Sequence, residues 1–289
     1  PVYKAPQRDM QFVLHEMLEV EENYQQFPKY ADQFSRDLIN QYLEAAADFC
    51  ENEIAPINQS GDHEGCHFEH GKVTTPKGFK EAYQKYVELG FTSLTADPVY
   101  GGQGMPTLLR IAISEMLCAS NWSWAMYQGL SHGAMRTLEH HGTEQQKQTF
   151  LTKLIAGIWT GTMCLTESHA GSDLGLIRTK AESQADGSYA ITGEKIFISA
   201  GEHDLAENIV HIVLARLPNA PSGTKGISLF IVPKFNVDES GNIQDRNQVV
   251  CSAIEHKMGI HGNATCVMNF DAAKGYLIGP ENRGLNCMF

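Results

Sequence analysis

The segment 163–173 (Met-Cys-Leu-Thr-Glu-Ser-His-Ala-Gly-Ser-Asp) has the residue types and spacing best suited to chemistry. It places hydroxyls, small residues and two carboxylates in a turn after an apolar segment. Such a loop can offer backbone N–H groups and hydroxyls to a planar ligand rich in hydrogen-bond acceptors. Alternatively, it is a connector between strands, in which Gly171 makes the turn and Asp173 bonds to the local backbone. The segment alone leaves both interpretations open.

A second segment, 195–201 (Lys-Ile-Phe-Ile-Ser-Ala-Gly), favours the ligand interpretation. In a regular strand, Phe197 and Ser199 would project from the same face. A stacking aromatic ring and a hydroxyl that forms hydrogen bonds suit one wall of a site for a planar heterocycle. The alternative is that Phe197 is a core residue and Ser199 only ends the strand.

The elements that must position these residues change in character near Thr160. Before it, apolar spacing and capping residues predict helices, among them one that starts at Trp122 and a capping box at 143–146. After it, β-branched and aromatic runs predict strands at Ser188–Ser199, Asn208–Leu217, Gly226–Phe235, Gln248–Ile254, Thr265–Phe270 and Tyr276–Ile278. The sequence therefore predicts an α+β protein, with an all-helical domain at 1–159 and a small antiparallel β-barrel or sandwich domain at 160–279.

The composition excludes several classes of function and indicates the cellular compartment. The formal net charge of −12 argues against non-specific binding to nucleic acid and against an anionic membrane surface. No apolar run approaches the length of a membrane span, and the N-terminal residues do not resemble a signal peptide. Seven cysteines without a repeated spacing indicate reduced thiols. We expect a cytoplasmic protein.

One stretch resembles a loose set of metal ligands. His63, Cys66, His67 and His70 lie close together in the sequence, but no second ligand pair accompanies them. A solvated loop without metal is the favoured interpretation. Likewise, the Gly-Gly-Gln-Gly run at 101–104 lacks a dinucleotide fingerprint and is interpreted as a connector.

Taken together, the motifs resemble those of the flavin-dependent acyl-CoA dehydrogenases. The Cys-Leu-Thr-Glu-x-x-Ala-Gly-Ser-Asp run at 164–173 is similar to the family's first signature, and Phe-Ile-Ser at 197–199 stands where Trp-Ile-Thr is usual. The runs at 101–104, 144–147 and 257–259 follow in the expected order. The resemblance covers the chain from about Thr75 onward. It is greatest to the larger subgroup that includes 3-methylmercaptopropionyl-CoA dehydrogenases, whose extended helical N-terminus would correspond to residues 1–70.

The resemblance implies an FAD site. Met163, Leu165 and Thr166 would contact the pyrimidine edge of the flavin. Ser172 would reach the phosphate region of the cofactor or the pantetheine of the substrate, and Gly171 would also belong to the cofactor site. Phe197 would pack on the isoalloxazine, and Ser199 would bond near N5 and O4. Two departures are evident: Leu176 stands where a small residue is usual, and Phe197 lacks the N–H of the more common Trp.

The resemblance also implies an acyl pocket on the helix that starts at Trp122. Its lining would be Ala125, Met126, Gly129 and Gly133, together with Ser172. Gly129 and Gly133 are four residues apart and share one helix face. Glycine is unfavourable within a helix, which indicates a spatial requirement at these positions. The alternative to an acyl pocket is close packing between helices.

The resemblance implies that the reaction is the α,β-desaturation of an acyl-CoA in β-oxidation. It also implies that the enzyme is a homo-oligomer and that electron-transfer flavoprotein accepts the electrons. The base would be a glutamate of a C-terminal helical domain, which residues 280–289 would begin. We expect Glu167 to be structural, and the 289 residues to be an inactive fragment that retains little FAD. Alternatives are an acyl-CoA oxidase or flavin monooxygenase on the same scaffold, or a non-catalytic binding or assembly protein.

Overall fold

The computed structural model describes residues 2–31 and 34–289, and its first half is built from helices. The α-helices are α1 Gln7–Gln11, α2 Val20–Gln25, α3 Arg36–Phe49, α4 Asn58–Glu64, α5 Phe79–Glu88, α6 Thr107–Ser120, α7 Trp122–His141, α8 Glu144–Gln146 and α9 Thr152–Ile155. Short π-helical segments lie at Phe12–Met17, Cys50–Ile54 and Lys147–Leu151, and 3₁₀ turns lie at Phe91–Ser93 and Pro98–Tyr100. The predicted capping box is confirmed, because Thr143 and Gln146 cap each other's backbone N–H groups.

The prediction that the first domain is all helical was wrong at one place. Strands β1 (His67–Glu69) and β2 (Lys72–Thr74) form an antiparallel hairpin. Its turn residues His70 and Gly71 both have positive φ, +49° and +76°, as a tight two-residue hairpin requires. The predicted solvated loop at 63–70 is therefore the end of α4 and this hairpin. Within the described residues, no group of three or more His, Cys, Asp or Glu side chains is placed to hold a metal ion.

The second half is a β domain. Its strands are β3 Trp159–Cys164, β4 Lys180–Ser183, β5 Tyr189–Ser199, β6 Asn208–Ala215, β7 Ser228–Pro233, β8 Phe235–Val237, β9 Ile243–Arg246, β10 Val249–Ile254 and β11 Thr265–Ile278, followed by helix α10 at Gly284–Met288. The main sheet has the order β3-β6-β7-β11-β5-β4, with β10 also paired to β11, while β8 and β9 form a separate hairpin.

Two details of the sheet differ from the expectation. The pairing of β3 with β6 is parallel, so the sheet is not wholly antiparallel. It can be parallel because the motif loop, β4 and β5 form a long connection between the two strands. The two short strands expected at 265–278 are one strand, β11, which is bent by an irregularity between Phe270 and Ala273. Strand β11 pairs with β5 from Thr265 to Gly275, on both sides of this bend, and with β7 from Tyr276 to Ile278.

Hydrogen bonds bring the ends of this sheet together, as the barrel prediction requires. Near the end of β6, Arg216 N–H donates to the Thr179 carbonyl (2.9 Å) and its own carbonyl accepts from Ala181 N–H (2.8 Å). Near the end of β3, the Thr166 carbonyl accepts from Ile196 N–H of β5 at 2.9 Å. Strands that are distant in the sheet order are thereby joined.

Helix α7 connects the two halves by packing on β3. The Gly161 N–H in β3 donates to Ser131 Oγ of α7 at 3.0 Å. A Cβ atom at Gly161 would lie 2.5 Å from the Ala134 Cβ, so this approach requires glycine. The contact fixes the strand that leads into the 163–173 loop. No helix among the described residues is long and apolar enough to cross a membrane.

Candidate functional site

The loop after β3 is held by bonds between its own backbone groups. Glu167 and Ala170 exchange N–H···O bonds of 2.9 and 3.0 Å, and Ala170 is buried beneath the turn. Asp173 accepts from Gly175 N–H at 2.9 Å, as the connector interpretation predicted. This scaffold leaves Gly171 and Ser172 exposed, while Thr166 at the base of the loop is half-buried.

Glu167 is a structural anchor. Its carboxylate is 5% exposed and accepts hydrogen bonds from Arg178 N–H (2.7 Å), Thr179 N–H (3.0 Å) and the Thr179 hydroxyl (2.6 Å). Burial alone would raise the pKa of this carboxyl, but Lys195 and these donors together lower it. A carboxylate stabilised in its charged form by several donors is a poor proton acceptor. The expectation of a structural role for Glu167 agrees with this environment.

Lys195 joins the two motif segments, and sequence reasoning missed it. Its side chain is fully buried, and Nζ donates to the Leu165 carbonyl at 2.8 Å and to Glu167 Oε1 at 2.9 Å. The neighbouring Ile196 N–H donates to the Thr166 carbonyl. The available signal was a lysine within an apolar strand pattern, opposite in charge to a glutamate of the first motif.

Phe197 lies on a β-bulge in β5. Lys195 pairs with Met268 and Ile198 pairs with Cys266, so β5 contains one residue more than β11 over this interval. Phe197 has φ +58°, which is rare for a residue with a large side chain, and its side chain is 58% exposed. The alternative that Phe197 is a core residue was therefore wrong. The expectation that Phe197 and Ser199 share a face assumed regular alternation, which the bulge interrupts.

The remaining predicted flavin contacts lie at partly accessible positions. Met163, Leu165 and Ser199 are half-buried. Leu176, which departs from the family pattern, is exposed in a 3₁₀ turn, and its carbonyl accepts from His169 Nε2–H at 3.1 Å. The turn therefore accommodates the larger side chain by leaving it in solvent.

One face of α7 lies against β3, the strand that leads into the 163–173 loop. A Cβ atom at Gly133 would lie 2.9 Å from Met163 Sδ, whereas a Cβ atom at Gly129 would meet nothing within 4 Å. Met126, one turn earlier on this face, is half-buried. Ala125 does not share the open environment, because it is 2% exposed and belongs to the hydrophobic core of the helical domain. Its predicted place in an acyl pocket is thus not supported by its burial.

Comparison with known proteins identifies the family. The model described as acyl-CoA dehydrogenase, N-terminal domain, matches residues 37–158, and that described as acyl-CoA dehydrogenase, middle domain, matches residues 162–273. The chain belongs to the acyl-CoA dehydrogenase family, and the described residues have the family's arrangement of a helical domain followed by a β-rich middle domain.

Individual relatives agree with this assignment. The chain is 44% identical to the 3-methylmercaptopropionyl-CoA dehydrogenase of Ruegeria pomeroyi, over 99% of the chain and 48% of that protein. The butyryl-CoA dehydrogenase structure from Megasphaera elsdenii is 27% identical, with a TM-score of 0.71 over 87% of this chain and 61% of that one. An acyl-CoA dehydrogenase structure from Bacillus anthracis, complexed with FAD, is 24% identical, with a TM-score of 0.70 over 89% and 39%. The chain spans about half the length of the curated relatives it matches.

Proposed function

We propose that the whole protein is an FAD-dependent acyl-CoA dehydrogenase that desaturates an acyl-CoA thioester between Cα and Cβ. The observation that carries the proposal is the exposed Phe197 ring, which lies on a bulge of β5. Lys195 of the same bulge is hydrogen-bonded to Leu165 of the 163–173 loop. Burial would normally be favourable for a phenylalanine ring. An exposed ring in a left-handed conformation is instead suited to packing against a ligand.

The residues present fit a flavin. Phe197 supplies a flat apolar surface, the hydroxyls of Thr166 and Ser199 lie at partly accessible positions, and Gly171 and Ser172 are exposed on the loop above. The backbone groups of Met163 and Leu165 complete the set that we propose for the pyrimidine edge. When bound, FAD supplies the hydride acceptor for the reaction. This chain's residues would orient it and shield one side from water.

The proposed acyl pocket lies along the α7 face. Gly129 leaves open space and Gly133 admits Met163 of the motif strand, so an acyl chain along this face would approach the proposed flavin wall. Ser172 would bind the pantetheine. Two of the relatives are named for short acyl groups, 3-methylmercaptopropionyl and butyryl, and we propose a fatty or methylthio-acyl substrate.

We propose that the catalytic base lies outside these 289 residues. Glu167 is the only glutamate of the signature loop, and its carboxylate is fully engaged by donors. The relatives named as dehydrogenases are about twice as long as this chain. A homo-oligomeric enzyme that passes electrons to electron-transfer flavoprotein completes the proposal. The seven free cysteines suit a reducing, cytoplasmic environment.

The test is turnover of the full-length protein with a series of acyl-CoA thioesters. We expect reduction of an artificial electron acceptor and slow reduction of oxygen. Rapid oxygen consumption would instead identify an oxidase or monooxygenase, and bound flavin without turnover would identify a non-catalytic homologue. Phe197→Ala should weaken FAD binding, whereas the control Phe68→Ala, another exposed phenylalanine, should not. The isolated 289-residue chain should hold FAD weakly and show no turnover.

A further inference from the structure

A small cavity in the helical half is lined in part by a charged side chain that has no role in the proposed reaction. It has a volume of about 20 Å³ and lies among residues of α5, α6, α7 and α9. Its polar lining includes Arg110, Gln128, His132, Thr92 and Thr95. A space of roughly 10–15 Å³ accommodates one water-sized occupant. The cavity is therefore large enough for a single atom or small molecule.

The Arg110 guanidinium is incompletely paired. Its Nε–H is buried without a hydrogen-bond partner among the described residues, and its Nη1 reaches Ser114 Oγ only at 3.4 Å. Burial lowers the pKa of Arg110, and the groups that next affect it are Tyr86, Arg136 and Cys118, none of which is a carboxylate. A partly desolvated cation without a counter-charge is unfavourable, and an anion in contact with it would relieve this.

The rest of the lining also favours negative charge. Burial, followed by Arg110 and Arg136, lowers the pKa of His132 to about 4, so the imidazole is neutral at physiological pH and its surroundings are electropositive. The Tyr86 hydroxyl donates to Gln128 Oε1 at 3.4 Å, which leaves the amide N–H groups of Gln128 to donate. The hydroxyls of Thr92 and Thr95 can donate as well.

We propose that this cavity binds a monatomic anion of the halide class, chloride under physiological conditions, with Arg110 as its principal partner. The cavity has room for about one water-sized occupant, which favours a monatomic anion over the larger carboxylate and phosphate groups. An occupant at this position would link α5, α6 and α7, and α7 also carries the Gly129–Gly133 face. The anion is thus a structural ligand of the helix that borders the proposed acyl pocket.

The test is thermal unfolding of the full-length protein in sodium chloride and in sodium gluconate at equal ionic strength. Chloride should raise Tm saturably, because a ligand that binds only the folded state increases the folded-to-unfolded ratio by 1 + [L]/Kd, about elevenfold at ten times Kd. Arg110→Met should abolish the chloride dependence. The control Arg8→Met removes an exposed arginine and should retain it. Equal Tm values in the two salts for the wild-type protein would overturn the proposal.

A crystallographic measurement on the wild-type protein keeps the proposal testable if Arg110→Met does not fold. Crystals grown in sodium bromide should show an anomalous peak within hydrogen-bonding distance of Arg110 Nε. A water molecule in the cavity, or a carboxylate from another part of the protein paired with Arg110, would refute anion binding. A chloride dependence that persists unchanged in a folded Arg110→Met variant would refute this site.

Discussion

Replacement of Lys195 by methionine is the most direct test of the link between the two motif segments. Methionine preserves much of the apolar stem and removes the ammonium group. Glu167 would then remain buried with its bonds to Thr179 and to the Arg178 N–H but without its cation. The Leu165 carbonyl would also lose its donor.

The expected loss is about 3 kcal/mol in the free energy of unfolding. Removal of one partner of a buried ion pair costs about 3–5 kcal/mol, since a charge is left uncompensated. The lower end applies here because Glu167 keeps three other hydrogen bonds. The position of the 163–173 loop relative to Phe197 should also become less fixed. FAD binding should therefore weaken together with stability.

The pH dependence follows from the lowered pKa of Glu167 in the folded protein. The charged carboxylate contributes stability above its usual pKa of 4.5, and this contribution is lost as the pH falls through the folded value. In Lys195→Met the unpaired buried carboxyl should instead gain from protonation. The difference between wild type and variant should therefore begin to narrow above pH 4.5, as the variant's carboxyl is protonated, and should narrow further below pH 4.5, as wild type loses its contribution.

Urea unfolding, followed by circular dichroism, would measure this difference for wild type, Lys195→Met, Glu167→Gln and the double variant. The double variant should lose at least about 1 kcal/mol less than the sum of the single losses, because it leaves no unpaired charge. Lys180→Met, at an exposed lysine of β4, is the control and should change stability by no more than about 0.5 kcal/mol. Additive losses, or a loss below about 1 kcal/mol for Lys195→Met, would falsify the proposed link.

Three further predictions concern other parts of the molecule. Phe197→Gly should leave the free energy of unfolding nearly unchanged, because the loss of backbone strain at this left-handed position offsets the greater conformational entropy of the unfolded chain. It should nevertheless weaken FAD binding about tenfold in a flavin titration. Gly129→Ala should raise the stability of α7 by up to about 1 kcal/mol and lower kcat/KM for longer acyl-CoA substrates, because the added methyl group enters open space. Gly133→Ala should instead displace Met163 and change the flavin absorbance spectrum. Equal effects of the two variants would contradict this geometry. Burial lowers the pKa of His211 to about 3, so stability should fall as the pH drops below about 6.5, by up to about 1.4 kcal/mol per unit, and His211→Asn should flatten this slope in unfolding measurements.

The order of the domains could be read from the sequence because local patterns determine it. Helical periodicity before Thr160 and β-branched runs after it correspond to the observed halves, and most of the predicted strands are confirmed within a few residues. The hairpin β1–β2 was missed because its strands are three residues each and largely exposed, so they carry no clear alternation. The parallel pairing of β3 with β6 was missed because it depends on a partner 49 residues away along the chain.

The sequence by itself determined the family, the two motif segments and the residue types that would contact a planar ligand. These are local properties, since the signature residues are neighbours in the chain. Only the tertiary structure decided how the segments combine: that Lys195 is buried against Glu167, that a bulge exposes Phe197, that Gly133 meets Met163 and Ala125 lies in the core. Each of these depends on which strands and helices come together, because burial, register and charge pairing arise between residues that are distant in the chain.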